Sequence, residues 1–308
     1  MVKREVLVTG GSGYIGSVLC KKLLKKGWDV LNVDLLPPQI DVKTYQRDIR
    51  DLTQLTDIFK IFKPNYVVHL ASQIQIGESM INPLKYFDHN SKGTINVCLN
   101  YLGVKKLVFA SSAGIYSPDN KIMPLTEDSI IAPKSYYGIT KAHDEDVVNS
   151  LKVYSTKTTI FRFFNVAGSL FNIKDKCKSH LLPAIIRGMK GEEQFKLFGY
   201  DYKTRDGTCI RDYIHVGDIA DAIILALESK KSGTYNLGTN KGYTVKEMIQ
   251  MVEKISGKDF DVVYSARRDG DAPELVASSK KAEQELGWKR RYGLKDIITS
   301  QLKVEGLI

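Results

Sequence analysis

Thr9-Gly10-Gly11-Ser12-Gly13-Tyr14-Ile15-Gly16 is flanked by two contrasting patterns. Ahead of it, Val6-Leu7-Val8 is a short apolar run, long enough for a buried strand. Behind it, Val18, Leu19, Leu23 and Leu24 recur at helical spacing until Gly27, where a helix would stop. A glycine turn between a strand and a helix leaves unpaired backbone N–H groups at the positive end of a helix dipole, which is a site for a pyrophosphate. Gly10 permits the tight turn, Gly13 lets phosphates approach the backbone, and Gly16 lets helix and strand pack closely. A second strand, 29–33, ends in Asp34, whose carboxylate would accept hydrogen bonds from the adenosine ribose hydroxyls and repel a 2′-phosphate. The stretch implies a dinucleotide site, for NAD rather than NADP. Taken alone, the same glycines also suit a plain strand–helix turn, and the Asp an ordinary turn residue.

The 308 residues can bury a large core, as one large domain or two intimately joined ones. With 43% hydrophobic and 26% charged residues, the composition is that of a soluble globular protein. No run of about 18 uninterrupted apolar residues occurs, so no membrane span is expected. The first strand begins within a few residues of Met1, and no signal peptide is expected ahead of it. Cys20, Cys98, Cys177 and Cys209 are scattered without paired spacing. They read as reduced thiols of a cytoplasmic protein, neither disulfides nor a zinc site, so no metal is expected. The net charge is +10, but Lys21, Lys22, Lys25 and Lys26 lie on the outer face of an amphipathic helix, where solvation explains them. A general positive potential would favour anionic ligands such as sugar nucleotides. No Lys/Arg stripe interleaved with aromatics points to nucleic acid.

Strands are predicted at 6–9, 29–34, 66–70, 106–111 and 158–163, and helices at 14–26, 51–62, 84–102 and 135–155. Asp51 suits the second helix as N-cap, and Asn82-Pro83 opens the third. Such alternation predicts an α/β fold, a Rossmann-type doubly wound parallel sheet. Beyond Asn165 the pattern changes: a helix at 180–189, a strand at 195–198, a glycine-rich hairpin-like stretch at 199–207, and a strand at 210–215. The strand at 210–215 and a helix at 216–229 would return to the first layer. Thr244-Val245-Lys246-Glu247 reads as a capping box, and 278–286 as the last helix. The implied division is a nucleotide-binding domain over 1–165 plus about 209–235, and a smaller C-terminal substrate-binding α/β domain over about 166–208 and 236–308.

Tyr137-Gly138-Ile139-Thr140-Lys141 places a Tyr and a Lys on one face of a helix. A phenol of pKa about 10 is a poor base at neutral pH. A nearby ammonium and a positive nicotinamide ring both favour phenolate. Tyr-x-x-x-Lys occurs by chance in many helices. Its force comes from the glycine turn upstream and from Ser111-Ser112 at a predicted strand end, the side that lines a cofactor crevice.

Thr-Gly-Gly-x-Gly-x-x-Gly at 9–16, Ser-Ser-Ala at 111–113 and Tyr-Gly-x-Thr-Lys at 137–141 make the chain resemble the extended short-chain dehydrogenase/reductases. Gly77-Glu78-Ser79, Asn90, Phe164-Asn165, Arg211-Asp212-Tyr213-Ile214-His215-Val216 and Arg267-Arg268-Asp269-Gly270-Asp271 extend the resemblance to the UDP-glucose 4-epimerases and near relatives, over almost the whole chain. The resemblance implies NAD contacts from Gly10, Gly13, Tyr14, Ile15, Asp34, Asp48, Ile49, Asn90, Tyr137 and Lys141, with Gly16, Leu70, Ala71 and Ser111 in the same crevice. Catalysis would fall to Ser112, Tyr137 and Lys141: Ser112 bonds the sugar's 4-oxygen and Tyr137 takes its proton. Asn165, His180, Leu181, Phe198, Arg211, Tyr213, Arg268 and Asp271 would hold UDP, with Ser112 and Leu275 at the sugar. A planar guanidinium matches diphosphate oxygens in pairs, although either arginine alone is as readily a surface ion pair.

Several positions depart from the family pattern. The loop after Asp34 is shorter than in long-form epimerases, Leu35 replaces a polar residue, and Ile74 stands where some members place a cofactor-binding lysine. Leu275 falls where the sugar-pocket gate commonly has a Tyr, and a smaller residue there would admit a 2-acetamido group. Ala113-Gly114 lacks the acid pair with which related 4,6-dehydratases eliminate water, which disfavours that reaction. The implied activity is 4-epimerisation of UDP-glucose and UDP-galactose through a 4-keto sugar, with tightly held NAD. UDP-N-acetylhexosamine, UDP-uronic acid or UDP-pentose epimerisation, net oxidoreduction of a nucleotide sugar, and a non-catalytic NAD-binding regulator remain as alternatives. Relatives pair helices such as 84–102 and 135–155 into a homodimer, and Ile95, Leu99, Leu102, Val147, Val148 and Leu151 would serve either that or packing on the sheet.

Overall fold

Val6, Leu7 and Val8 are fully buried, as a central parallel strand covered on both faces requires. They lie in a computed structural model of the chain that describes residues 4–268 and 271–308. The chain starts with β1 (Glu5–Thr9), α1 (Tyr14–Lys25), β2 (Asp29–Asp34) and a short β3 (Thr44–Gln46). Next come α2 (Leu52–Phe62), β4 (Tyr66–His69), α3 (Ile76–Ile81) and α4 (Pro83–Tyr86), and a π-helical turn over Phe87–Lys92 leads into α5 (Gly93–Leu99). β5 (Lys106–Ser112), α6 (Tyr136–Ser150) and β6 (Lys157–Phe163) complete the first half. The second half runs β7 (Asn165–Ala167), α7 (Leu181–Met189), β8 (Phe195–Phe198), β9 (Ile210–His215), α8 (Val216–Glu228) and β10 (Gly233–Leu237). It closes with β11 (Gly242–Thr244), α9 (Val245–Ser256), β12 (Val262–Ser265), β13 (Glu274–Leu275), α10 (Lys280–Leu286) and α11 (Leu294–Val304).

The large sheet has the order β10-β6-β5-β4-β1-β2-β3, parallel throughout, so the expected doubly wound fold is the one observed. Strand order reverses between β1 and β4, and the crevice beyond their carboxyl ends is where such a sheet takes a ligand. In the second sheet β9 pairs antiparallel with β11 and parallel with β7 and β13, and β8 pairs separately with β12. Leu182, Ile185, Ile186, Met248, Ile297, Ile298 and Leu302 build the core beneath these strands.

Local chemistry set several ends where they were expected. Asp51 caps α2 by accepting from the Gln54 N–H at 3.0 Å. The capping box of α9 has both halves, Thr244 Oγ1 accepting from the Glu247 N–H at 3.0 Å and Glu247 accepting from the Thr244 N–H at 2.9 Å. Other expectations need correction. The predicted helix at 84–102 is interrupted by the π-helical turn, where Asn90 is drawn toward Gln73. α8 does join the first core, but β9 lies in the smaller sheet, while Ala282, Leu286 and Trp288 return to the first core. The 199–207 stretch does not close a hairpin, because β8 finds its partner in β12. The helix at 280–286 is not the last: α11 follows, its Leu294, Ile297, Ile298 and Leu302 all buried at helical spacing behind a Gly293 cap.

Candidate active site

Between β1 and α1, Gly10 takes φ +77°, in the left-handed region that glycine adopts freely. A Cβ on Gly10 would stand 2.6 Å from the Ala71 nitrogen, and one on Gly16 would stand 2.1 Å from the Gly10 oxygen. Backbone thus packs on backbone at both places. At Gly13 the only such contact is the Gly10 oxygen, at 3.2 Å. Gly13 is also the N-cap of α1 and brings no side chain to the first-turn N–H groups of Tyr14 and Ile15, which leaves them for an anion. The Asp34 carboxylate accepts from the Ser12 N–H at 2.9 Å and the Leu36 N–H at 3.0 Å. One bond on each oxygen fixes it beside the turn and leaves lone pairs for ribose hydroxyls. A dinucleotide fits this cradle.

The other residues expected there are placed around it. Leu70 and Ala71 follow β4, with the Leu70 N–H donating to the Thr9 carbonyl at 3.0 Å. Asp48 is held by Arg50 at 2.6 Å, and that bond keeps its carboxyl below the usual carboxylate range. Ile49 is buried against Gly93. Asn90 accepts from the Gln73 N–H at 2.7 Å and donates to the Gln73 carbonyl and to Thr140 Oγ1, each at 3.1 Å. It fastens the loop after β4 to α6, and one lone pair remains for a ligand. The Tyr14 hydroxyl donates to the Gly168 carbonyl, which ties the segment after β7 to the start of α1.

Ser111 and Ser112 end β5. Ser112 Oγ accepts from the Gly114 N–H at 3.1 Å and is hydrogen-bonded to Tyr137, while the buried Ser111 Oγ has no partner among the described residues. Ser135 caps α6 by accepting from the Gly138 N–H at 3.1 Å, which sets Tyr137 in the first turn and Lys141 one turn on. Lys141 Nζ donates to the Ala110 carbonyl at 2.9 Å and stands 4.9 Å from the centre of the Phe109 ring. Burial pushes the Tyr137 phenol above its ordinary value, against the bond with Ser112. Burial also brings Lys141 down to about 8, against Asp144 and Glu145. The Lys141 ammonium gives its hydrogen bond to Ala110, and desolvation is the larger influence on the phenol.

Gly138 explains how α6 comes so close. A Cβ there would stand 2.3 Å from the Gly114 oxygen and 2.8 Å from Pro133 Cβ. Gly138→Ala should push α6 off the Ser112 turn and lower unfolding free energy by about 1–3 kcal/mol, read from urea denaturation.

The facing wall gathers residues from distant segments. Asn165 and Tyr213 are register partners in β7 and β9, and their side chains are hydrogen-bonded. Arg211 pairs in register with Leu275, donates to the Ile210 and Ala272 carbonyls at 2.9 and 2.8 Å, and lies 3.4 Å from Asp271. The Asp271 N–H donates to the Arg268 carbonyl at 3.3 Å, and the Arg268 guanidinium stands 4.0 Å from the Phe198 ring centre. Leu275 packs on the cluster of Ala113, Ile115 and Phe164, which brings this wall to the end of β5. Asp269 and Gly270 lie outside the described residues. His180 is the N-cap of α7, and Leu181, its first residue, packs on the second core. Burial opposes the charge on His180, yet Asp175, 2.5 Å from Nδ1, and Cys177 push it up to about 10. Ser12, Gln73, Gly138, Asp175 and Cys177 were not foreseen. Of these, only the small Gly138 beside Tyr137 left a signal of close packing.

The family model described as "NAD dependent epimerase/dehydratase family" matches residues 6–238. The UDP-glucose 4-epimerase of Rhizobium meliloti (strain 1021) is 38% identical over 318 residues, covering 97% of this chain and 96% of that one. The crystal structure of UDP-glucose 4-epimerase from Bifidobacterium longum in complex with NAD+ and UDP superposes with a TM-score of 0.92 at 33% identity, covering 98% of each chain. The UDP-Glc/GlcNAc 4-epimerase from Campylobacter jejuni gives a TM-score of 0.85 at 32% identity, covering 99% of each.

Proposed function

The chain belongs to the NAD dependent epimerase/dehydratase family, and within it we propose that UDP-glucose and UDP-galactose are the 4-epimers it interconverts. The observation that carries this reading is the Ser112–Tyr137 hydrogen bond at the carboxyl end of β5, with Lys141 one turn away and the Arg211 wall opposite. The protein is an NAD-dependent UDP-hexose epimerase. Bound NAD supplies the hydride acceptor and donor for C4 of the sugar. Gly10, Gly13, Tyr14, Ile15, Gly16, Asp34, Asp48, Ile49, Leu70, Ala71, Asn90 and Ser111 form its crevice, with Tyr137 and Lys141 at the reacting end. Tyr137 Oη withdraws the proton of the 4-hydroxyl and returns it on the other face, and Ser112 orients that oxygen. Asn165, His180, Leu181, Phe198, Arg211, Tyr213, Arg268 and Asp271 hold UDP, so the 4-keto sugar can turn while its nucleotide stays fixed. A UDP-sugar panel assayed for 4-epimers tests this. Conversion of UDP-galactose supports it, and inert UDP-hexoses overturn it. Leu275 in place of a bulkier gate also favours UDP-N-acetylhexosamines, which belong in the same panel.

Lys141 makes the reaction sensitive to alkali. Its ammonium is lost through about pH 8, so turnover should fall as pH rises past that value, in a pH–kcat profile. Stability should move the other way. Between about 8 and the ordinary lysine value of about 10.4 the unfolded chain binds the extra proton, so unfolding free energy rises with pH in that window.

We propose further that the chain is a cytoplasmic homodimer, and that residues 1–165 with α8 and β10 form the NAD lobe and the smaller sheets the sugar lobe. No helix among the described residues is long and apolar enough to cross a membrane. Val148 and Leu151 are buried within the subunit, but Leu99 and Leu102 are 57% and 81% exposed, which supports pairing through α5 and its neighbour α6. Light scattering at micromolar concentration should give the mass of two chains, and of one for Leu99→Asp; a monomeric wild type would remove the proposal.

A further inference from the structure

A chain of buried hydroxyl and imidazole groups leaves the glycine turn and ends on α6. Thr9, His69, Thr94 and Asp144 are each at most 1% exposed, and they come from β1, β4, α5 and α6. The Asp144 carboxylate accepts from Thr94 Oγ1 at 3.2 Å. Thr94 gives its one hydroxyl proton to that bond, so His69 Nε2–H donates to Thr94 Oγ1, 3.0 Å away. Burial, together with the charge of Lys141, brings His69 down to about 3, so the ring is neutral and its Nδ1 is bare. Thr9 Oγ1 therefore donates to Nδ1 at 2.6 Å. Every bond in the chain points toward Asp144, and the group at its end only accepts, as an ionised carboxylate does.

Asp144 lies three residues beyond Lys141, on the same buried face of α6. Lys141 is 3% exposed, and its hydrogen bond goes to a neutral group, the Ala110 carbonyl. The other titratable groups around the pair do not supply its missing charge. Glu145 is held by two bonds from Arg162 of β6. His69 of β4 is neutral, and burial and Asp144 push the Cys98 thiol of α5 up to about 12. Tyr137, one turn earlier, is held above its ordinary value by burial. His143 reaches the second Asp144 oxygen at 3.1 Å, but its side chain is 48% exposed, where water screens it. Burial lowers Lys141, and Asp144 opposes that more than Glu145 does. An ammonium and a carboxylate, each buried without a bonded partner of fixed charge, stand one helical turn apart.

We propose that Asp144 is a positioning residue for the reaction assigned above: its carboxylate is the counter-charge that keeps Lys141 an ammonium beside Tyr137. The inference rests on that assignment. Asp144 acts through Lys141, and the bonds from Thr94 and His69 hold its carboxylate in the accepting state. Without that charge, desolvation of Lys141 is opposed by Glu145 alone, and the ammonium is lost at lower pH.

The test is a pH–kcat profile of the NAD-loaded protein on UDP-galactose, from pH 6 to 9.5. Asp144→Asn keeps the shape and an accepting oxygen and removes the charge. Its alkaline limb should lie about one pH unit below that of the wild type, the low end for loss of a nearby opposite charge. Turnover should then be about tenfold lower than wild type at pH 9 and within about twofold at pH 6, with KM for UDP-galactose unchanged. Asp144→Ser, smaller and equally uncharged, should give the same limb. Thr94→Val breaks the chain but keeps the carboxylate, so it should lower the urea midpoint and leave the limb in place. As a readout free of turnover, lysine carrying ¹³C at Cε is followed by NMR through the same pH range. The Lys141 signal, assigned by its loss in Lys141→Met, should titrate about one unit lower in Asp144→Asn. Coincident limbs and midpoints for wild type and Asp144→Asn would overturn the proposal, as would an equal shift in Thr94→Val. A chain inert toward UDP-hexoses at every pH would overturn the epimerase reading instead, and the Lys141 titration would still decide the role of Asp144.

Discussion

Tyr137→Phe should lower kcat for UDP-hexose conversion about a thousandfold, the range expected when a positioned proton-transfer group is removed. The phenyl ring keeps the shape of a side chain that is 9% exposed, so the fold should be unchanged. Bound NAD should also remain, because the glycine turn and Asp34 are untouched, and denaturation of the variant should still release nicotinamide nucleotide. Ser112→Ala should cost less, since Ser112 orients the sugar oxygen but does not carry its proton away. Burial holds the Tyr137 phenol above its ordinary value, against its bond with Ser112. A Tyr137→Phe variant with wild-type turnover would remove the mechanism.

Arg162→Met should be the most destabilising single change, by about 3–5 kcal/mol in urea denaturation, because it strands a buried carboxylate. Arg162 and Glu145 make two parallel bonds of 3.0 and 2.8 Å, with side chains 6% and 7% exposed. The same guanidinium donates to the Tyr116 hydroxyl at 2.9 Å and the Glu127 carbonyl at 2.8 Å. Tyr116 in turn donates to Asn236 Oδ1 at 2.7 Å, and Asn236 Nδ2 donates to the Leu125 carbonyl at 2.9 Å. The network joins β6, β10 and α6 to the loop after the Ser112 turn, so its loss should also loosen Tyr137. Arg162→Met combined with Glu145→Leu should recover most of the stability, since neither charge is then left buried alone. Equal stability of the single and double variants would contradict this account.

Local patterns were legible where the chemistry is local. The apolar runs, the Asp51 cap, the Thr244–Glu247 box and the strand–glycine–helix turn each depend on neighbouring residues, and the first lobe could be read from them. The second lobe could not be read in the same way. β9 is continuous and buried like a strand of the large sheet, and only its long-range partners β7, β11 and β13 place it elsewhere. The pairing of β8 with β12 likewise leaves no local mark. The site residues of the far wall came from resemblance, because nothing near Arg268 in sequence shows that it will stack on Phe198. Spacing shows that Lys141 is close to Tyr137, but not that its ammonium donates to the Ala110 carbonyl.

The central claim is that one chain-held NAD serves both halves of a reversible exchange at C4. UDP-galactose carrying deuterium at C4 should be incubated with the purified protein, with no nicotinamide nucleotide added, and the UDP-glucose formed examined by mass spectrometry. Retention of the deuterium at C4 of the product is the predicted result. Loss of the label to water, or conversion only when NAD is added in stoichiometric amount, would contradict it.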